Sequence, residues 1–205
     1  MLIIESSFKV LDNVNGAEIL KKLEVCGRVC YKSEDQITDK SSEKFVEMLI
    51  KRGHLSVLEH EKITVKVICD RGISHELVRH RIASYSQESS RYVNHAKKEI
   101  TFIKPFFFLE NTFQFDCWIQ QMQYAETAYM ELIKAGAKPE QARSILPNSL
   151  KTEIVITMNL RSWRHFFALR THKTAHSQMR EITIPMLAEF RKLVPIIFEN
   201  LDMYE

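Results

Sequence analysis

Glycine and proline are scarce in this chain, five of each in 205 residues. No glycine-, serine- or proline-rich stretch marks a flexible linker, and no repeat or low-complexity tract divides the chain. Residues 1–205 therefore read as a single domain. Neither GxGxxG nor GxxxxGK[ST] occurs, which excludes the common glycine-rich loops that cradle nucleotide phosphates on backbone amides. No apolar run reaches the ~18 residues of a membrane span. The opening segment MLIIESSFKVLDN has no basic residue ahead of its apolar ones and no small-residue cleavage site. The chain reads as cytoplasmic, with no membrane partner. A net charge of +3 is too small for a broad nucleic-acid footprint, so attraction to anions has to be local. The four cysteines, Cys26, Cys30, Cys69 and Cys117, are too scattered for a disulfide framework. Their apolar company reads as buried free thiols, with a metal pair at Cys26 and Cys30 as the weaker reading.

What remains is an ordinary globular composition, 45% hydrophobic and 27% charged, in a chain long enough to bury a core. MLIIESSFKVLDN reads as a first strand. NGAEILKKLEVCGRVCY has helical spacing at Ile19, Leu20, Leu23 and Val25, and SSEKFVEMLIKRG is a second helix, capped by Ser41 or Ser42 and stopped by Gly53. KITVKVICD alternates as a half-buried strand, and RGISHELVRHR returns to helical spacing. Asn111 to about Ala135 is a long helix, KPEQARSIL a short one opened by Pro139, TEIVITMN a second central strand, and RSWRHFFALR a helix directly after it. The last helix runs from Ser177 to Glu199, with breaks or kinks at Pro185 and Pro195. Helices mixed with a few separated strands define an α+β fold, a small mainly antiparallel or mixed sheet packed with helices.

Helical geometry singles out two arginines. If the helix from Gly72 continued to Arg81 at about 100° per residue, Ile73, Leu77 and Val78 would form its apolar arc, and Arg81 would fall inside it. A guanidinium keeps its charge and is rarely buried without a partner. Either the helix ends before Arg81, or Arg81 reaches an anion. In RSWRHFFALR, Trp163, Phe166 and Phe167 form the arc and Arg170 projects from it. Arg170 either meets the helix C-terminal dipole or points at a planar anionic ligand. Two such arginines in one small domain favour the ligand. The stretch RHRIASYSQESSRY, residues 79–92, adds Ser84, Ser86, Ser89 and Ser90 as hydroxyl donors and Arg91 as a bidentate phosphate grip, with Tyr85 and Tyr92 interleaved. His54, His60, His75, His80, His172 and His176 raise metal binding, but His172 and His176 lack the intervening glutamate of HExxH, so no metal is expected. No serine sits in a nucleophile elbow.

RHR at 79–81, followed after seven residues by Ser89, together with GHLSVLEH at 53–60, ARSILP at 142–147 and MNLRSWRHFFALR at 158–170, resembles the flavin-dependent thymidylate synthase family in order and over nearly the whole chain. The resemblance implies a homotetramer with sites shared between subunits. It implies methylation of dUMP to dTMP, with methylene-tetrahydrofolate as one-carbon donor, tightly bound FAD as hydride carrier and NADPH as reductant. It assigns Ser56, Arg79, His80, Arg81, Gln87, Asn159, Leu160, Arg161 and His165 to FAD, with His54 near the flavin. It assigns Glu76, Leu77, Val78, Arg79, Gln87, Glu88, Ser89, Ser90, Arg91, Arg143 and Arg170 to dUMP. Arg170 is the expected catalytic residue, promoting ionisation of the uracil ring; Ser89 binds substrate and is no nucleophile. Some members carry Gln where this chain has Glu76, and Glu where it has Gln87. THKTAHSQMREI is longer than in shorter members, so no site role passes to His176 or Gln178. The rival readings are a non-catalytic nucleotide- or flavin-binding protein of the same fold and, less compatible with the balanced charge, an RNA-binding module.

Overall fold

The computed structural model describes residues 1–92, 99–199 and 201. Among these the strands are β1 (Leu2–Ile4), β2 (Ser7–Val10), β3 (Lys62–Asp70), β4 (Ser84–Gln87), β5 (Thr101–Ile103) and β6 (Lys151–Asn159). The helices are α1 (Gly16–Tyr31), α2 (Ser42–Lys51), α3 (Arg71–Leu77), α4 (Phe113–Lys134), α5 (Pro139–Ala142), α6 (Leu160–Arg170), α7 (Ser177–Leu193) and α8 (Pro195–Phe198). The fold is α+β. One sheet has the order β2–β3–β6–β4, and β1 pairs separately with β5, in parallel, Ile3 opposite Phe102.

Two nine-residue strands set the pattern. Along β3, Ile63, Val65, Val67 and Cys69 are buried; along β6, Thr152, Ile154, Ile156 and Met158 are. Each strand runs into a helix with no intervening loop residue, and its last side chain caps that helix. Asp70 accepts from the Ile73 amide at 2.7 Å, and Asn159 from the Ser162 amide at 2.8 Å. Such caps satisfy amides that a helix start leaves unpaired.

The chain forms two compact units, each assembled from three stretches. The first comprises Met1–Phe8, Lys66–Arg79 and Tyr85–Val155. Its core gathers Ile100, Phe102, Trp118, Met122, Tyr129, Ala142 and Leu150, and the Trp118 indole nitrogen donates to Ser149 at 3.1 Å. The second comprises Lys9–Val65, His80–Ser84 and Ile156–Glu205. Trp163, Phe166, Phe167, Phe190 and Phe198 are fully buried there, with successive ring centroids 5.0–5.9 Å apart. Edge-on and offset contacts of this kind stabilise beyond area burial alone. The Trp163 nitrogen donates to the Ile63 carbonyl at 2.9 Å, so the aromatic cluster costs no unpaired polar group.

Several expectations change. The expected first strand is two, β1 and β2, in different sheets, with Glu5 and Ser6 between them. The helix from residue 71 ends at Leu77 rather than reaching Arg81; Val78 is its cap and is 38% exposed, outside the apolar arc. Residues 84–87 form a strand to which the sequence reading assigns no element; β4 is an edge strand, and an edge tolerates polar side chains. Pro185 is accommodated within α7, whereas the break falls at Val194, after which Pro195 opens α8. Gly53, with φ of +74°, ends the second helix as expected. Of the cysteines only Cys69 is buried; Cys30 and Cys117 are exposed and Cys26 half-buried, since these three lie off the buried faces of α1 and α4.

Candidate active site

In the second unit the candidate residues gather around α6. Its N-cap, Asn159, spends its side-chain oxygen on the Ser162 amide. Leu160 is buried and donates its amide to the Glu61 carbonyl at 3.0 Å. Arg161 is exposed and paired with Glu59 at 2.6 Å. Arg164 is half-buried and donates to the Ile197 carbonyl, and burial holds its guanidinium below the usual arginine range. Arg170 is the last helical residue, so its cation stands at the C-terminal end of the helix dipole.

The Arg170 Nε donates to His80 Nε2 at 2.9 Å. An imidazole nitrogen that accepts is unprotonated, so His80 is neutral with its proton on Nδ1. Burial, then the Arg170 charge and then His165, push its pKa from 6.5 down to about 4. The His80 ring meets Phe166 edge-on at 4.9 Å and His165 at 6.2 Å. Arg81, Ser56 and His165 are exposed. His54 is exposed too, and its Nδ1 lies 2.7 Å from the Tyr31 hydroxyl.

In the first unit the candidates cluster on α3, β4 and the turn after β4. Glu76 is half-buried, Leu77 fully buried and Val78 exposed. The Tyr85 hydroxyl donates to the Leu77 carbonyl at 2.9 Å, fastening β4 to the end of α3. Gln87 points inward, its amide nitrogen donating to Ser74 at 2.9 Å and Thr152 at 3.2 Å. Lys151 bridges Glu88 and Glu153, and the bonds from Lys151 and Lys66 hold the Glu153 carboxyl below its usual range. Beyond Glu88 the chain turns at Ser89 to Tyr92. Arg143 donates to the buried Ser90 hydroxyl at 3.0 Å, and the Arg91 guanidinium lies 5.5 Å from the exposed Tyr92 ring.

Among the described residues Arg79, Arg81 and Arg91 have no carboxylate partner, although all three are exposed. Three unpaired guanidiniums within thirteen residues repel one another unless anions intervene. Within the second unit the exposed Arg81, the Arg170 guanidinium and the imidazole and phenyl faces of His80 and Phe166 are donors and surfaces that suit an anionic, planar ligand such as a flavin dinucleotide. Among the described residues no three of His, Cys, Asp and Glu gather closely enough to hold a metal ion; His172 instead pairs with Thr174 at 2.7 Å.

Several partners were not read from the sequence: Tyr31 for His54, Ser74 and Thr152 for Gln87, Glu59 for Arg161, and Thr183, whose hydroxyl donates to the Arg170 carbonyl at 2.8 Å. Only Thr183 had a signal, as a hydroxyl inside the apolar stripe of α7.

A family model described as "Thymidylate synthase complementing protein" matches residues 9–196. A flavin-dependent thymidylate synthase of Thermococcus onnurineus is 41% identical over 174 residues, covering 80% of this chain and 71% of that protein. The flavin-dependent thymidylate synthase of Geobacter sulfurreducens is 36% identical over 183 residues, covering 86% and 79%. A crystal structure of a UMP/dUMP methylase, PolB, from Streptomyces cacaoi, bound with 5-Br dUMP, superposes with a TM-score of 0.80. It covers 97% of this chain and 96% of that one at 21% identity, a likeness of fold. The chain belongs to the flavin-dependent thymidylate synthase family.

Among the described residues no helix is long and apolar enough to cross a membrane.

Proposed function

We propose that this chain is a flavin-dependent thymidylate synthase that methylates dUMP to dTMP, a methyltransferase with FAD as cofactor and NADPH and methylene-tetrahydrofolate as co-substrates. The observation that carries the reading is the Arg170 guanidinium, held at the end of a helix by its bond to a neutral histidine whose ring packs on Phe166.

FAD, when bound, supplies the hydride that completes the methyl group. For their part, Arg91, Arg143 and the Ser89–Ser90 turn bind the nucleotide phosphate through charge-assisted bonds. Arg79 and Arg81 offset the negative charge of the flavin, with Ser56, His54, Asn159, Leu160, Arg161, His165 and Gln87 lining it. Glu76, Leu77, Val78 and Glu88 border the nucleotide. Arg170, half-buried and bonded to the neutral His80, favours loss of the uracil ring N–H proton, which enriches the ring carbon that forms the new bond. Charge placed before the reaction begins costs no reorganisation during it. No thiol is required, in keeping with Cys69, which burial and Asp70 push up to about 12.

The proposal includes a cytoplasmic homotetramer whose sites draw on residues of different subunits, with residues 1–205 acting as one functional domain. The deciding assay is tritium release from dUMP labelled at the methylated carbon, with NADPH, FAD and methylene-tetrahydrofolate present. Release is expected from yellow, flavin-loaded protein. Folded, flavin-loaded protein that releases none would remove the synthase reading.

A further inference from the structure

Thr183 lies on α7, fully buried among Met179, Ile182, Met186 and Leu187. A hydroxyl in such surroundings is costly unless it is paired. Its Oγ1 donates to the Arg170 carbonyl at 2.8 Å. That carbonyl is among the last four of α6, which have no amide of their own helix to accept from. One turn earlier the Thr171 hydroxyl donates to the Phe167 carbonyl at 2.8 Å in the same way. The other end of Arg170 is fixed by the bond from Nε to His80 at 2.9 Å. Arginine has a long, rotamer-rich side chain, and a small rotation at its root swings the guanidinium widely.

We infer that Thr183 is a positioning residue for the reaction: its hydroxyl fixes the main chain of Arg170 while His80 fixes the guanidinium, so that the charge is presented in one orientation. The energetic reason is preorganisation. A charge that stabilises a developing anion acts at full strength only if it stands in place beforehand, and displacement by about 1 Å is enough to cost much of the rate. Thr183 touches neither dUMP nor flavin in this account, so its substitution is free of the direct binding effects that complicate changes at His80.

The kinetic part rests on the thymidylate synthase reading; the structural part does not. Thr183→Val keeps the shape and removes the hydroxyl, whereas Thr183→Ser keeps the hydroxyl and removes the methyl. In flavin-loaded full-length protein, Thr183→Val is expected to lower kcat for tritium release roughly tenfold, with KM for dUMP within about threefold of wild type. Thr183→Ser is expected to stay within about twofold in kcat. A packing role predicts the reverse order. The second readout is the solvent-exchange rate of the Arg170 Nε–H in 15N-arginine-labelled protein, its signal assigned by its loss in Arg170→Lys. Exchange is expected to be slow in wild type and Thr183→Ser and faster in Thr183→Val. Should Thr183→Val not fold, Thr183→Ala takes its place against Thr183→Ser. The inference stands if kcat and exchange move together on loss of the hydroxyl and recover with serine; any other pattern in an active enzyme overturns it. If wild type itself releases no tritium, the function reading falls and the exchange rates alone decide the positioning.

Discussion

His80 accepts a hydrogen bond from Arg170 across ninety residues of sequence, Nε to Nε2, at 2.9 Å. A histidine that accepts from a guanidinium is committed to its neutral form, and a proton on Nε2 would set two cations against each other. The relationship thus joins two motifs, RHR at 79–81 and FFALR at 166–170, into one electrostatic element.

A pH dependence of stability follows. The unfolded chain presents His80 with its ordinary value of 6.5, the native chain with about 4. Between these values the unfolded state binds more protons, so stability rises with pH. The contribution is complete above about pH 6.5 and is lost as pH falls towards 4. The melting temperature of wild type is expected to fall more steeply across this window than that of His80→Gln, whose side-chain oxygen accepts without titrating there. Superimposable profiles would show that His80 is not held neutral.

Removing the guanidinium tests the chemistry directly. Arg170→Ala is expected to lose about a hundred- to a thousandfold in turnover, the scale on which a preorganised charge contributes, while flavin absorbance persists. Turnover near the wild-type rate would refute the role assigned to Arg170.

Thiol reactivity checks the cysteine placement. In native protein Cys30 and Cys117 are expected to react promptly with a thiol reagent and Cys26 more slowly, in accord with their exposure. Cys69, fully buried and with its thiol pushed up to about 12, reacts only on unfolding. Mass-resolved labelling over time reads all four at once; early labelling of Cys69 would contradict the buried strand.

A buried ion pair predicts a large loss of stability. Glu24, 1% exposed, accepts from Arg28 at 2.8 and 3.1 Å and from the Ser41 hydroxyl at 2.8 Å. Arg28 also lies 4.2 Å from the Phe45 ring centroid. Glu24→Ala strands that guanidinium, and breaking such a pair costs on the order of 3–5 kcal/mol. Urea unfolding is expected to show the midpoint shift with little change in slope; a loss below about 1 kcal/mol would mean that solvent already reaches the pair.

The long periodic elements were legible in the sequence because one period runs through them. Trp163, Phe166 and Phe167 mark the buried face of α6, and Ile63, Val65, Val67 and Cys69 that of β3. Arg170 was legible as a misfit on an apolar face. Its partners were not: periodicity says which face is buried but not what meets it, so neither His80 as acceptor nor Tyr31 beside His54 was within reach. Strand β4 was missed because a polar edge strand has no alternation to read. Val78 was misassigned because a helix wheel assumes that the helix continues.

The junctions at Asp70–Arg71 and Asn159–Leu160 leave no slack between strand and helix. Where a loop intervenes, an extra residue can be absorbed in a bulge or a wider turn. At the second junction one inserted residue would displace the Asn159 cap and turn all of α6 by about 100°, carrying Arg170 away from His80. Substitutions can adjust this site by degrees, but a change of length between Asn159 and Leu160 removes it in one step.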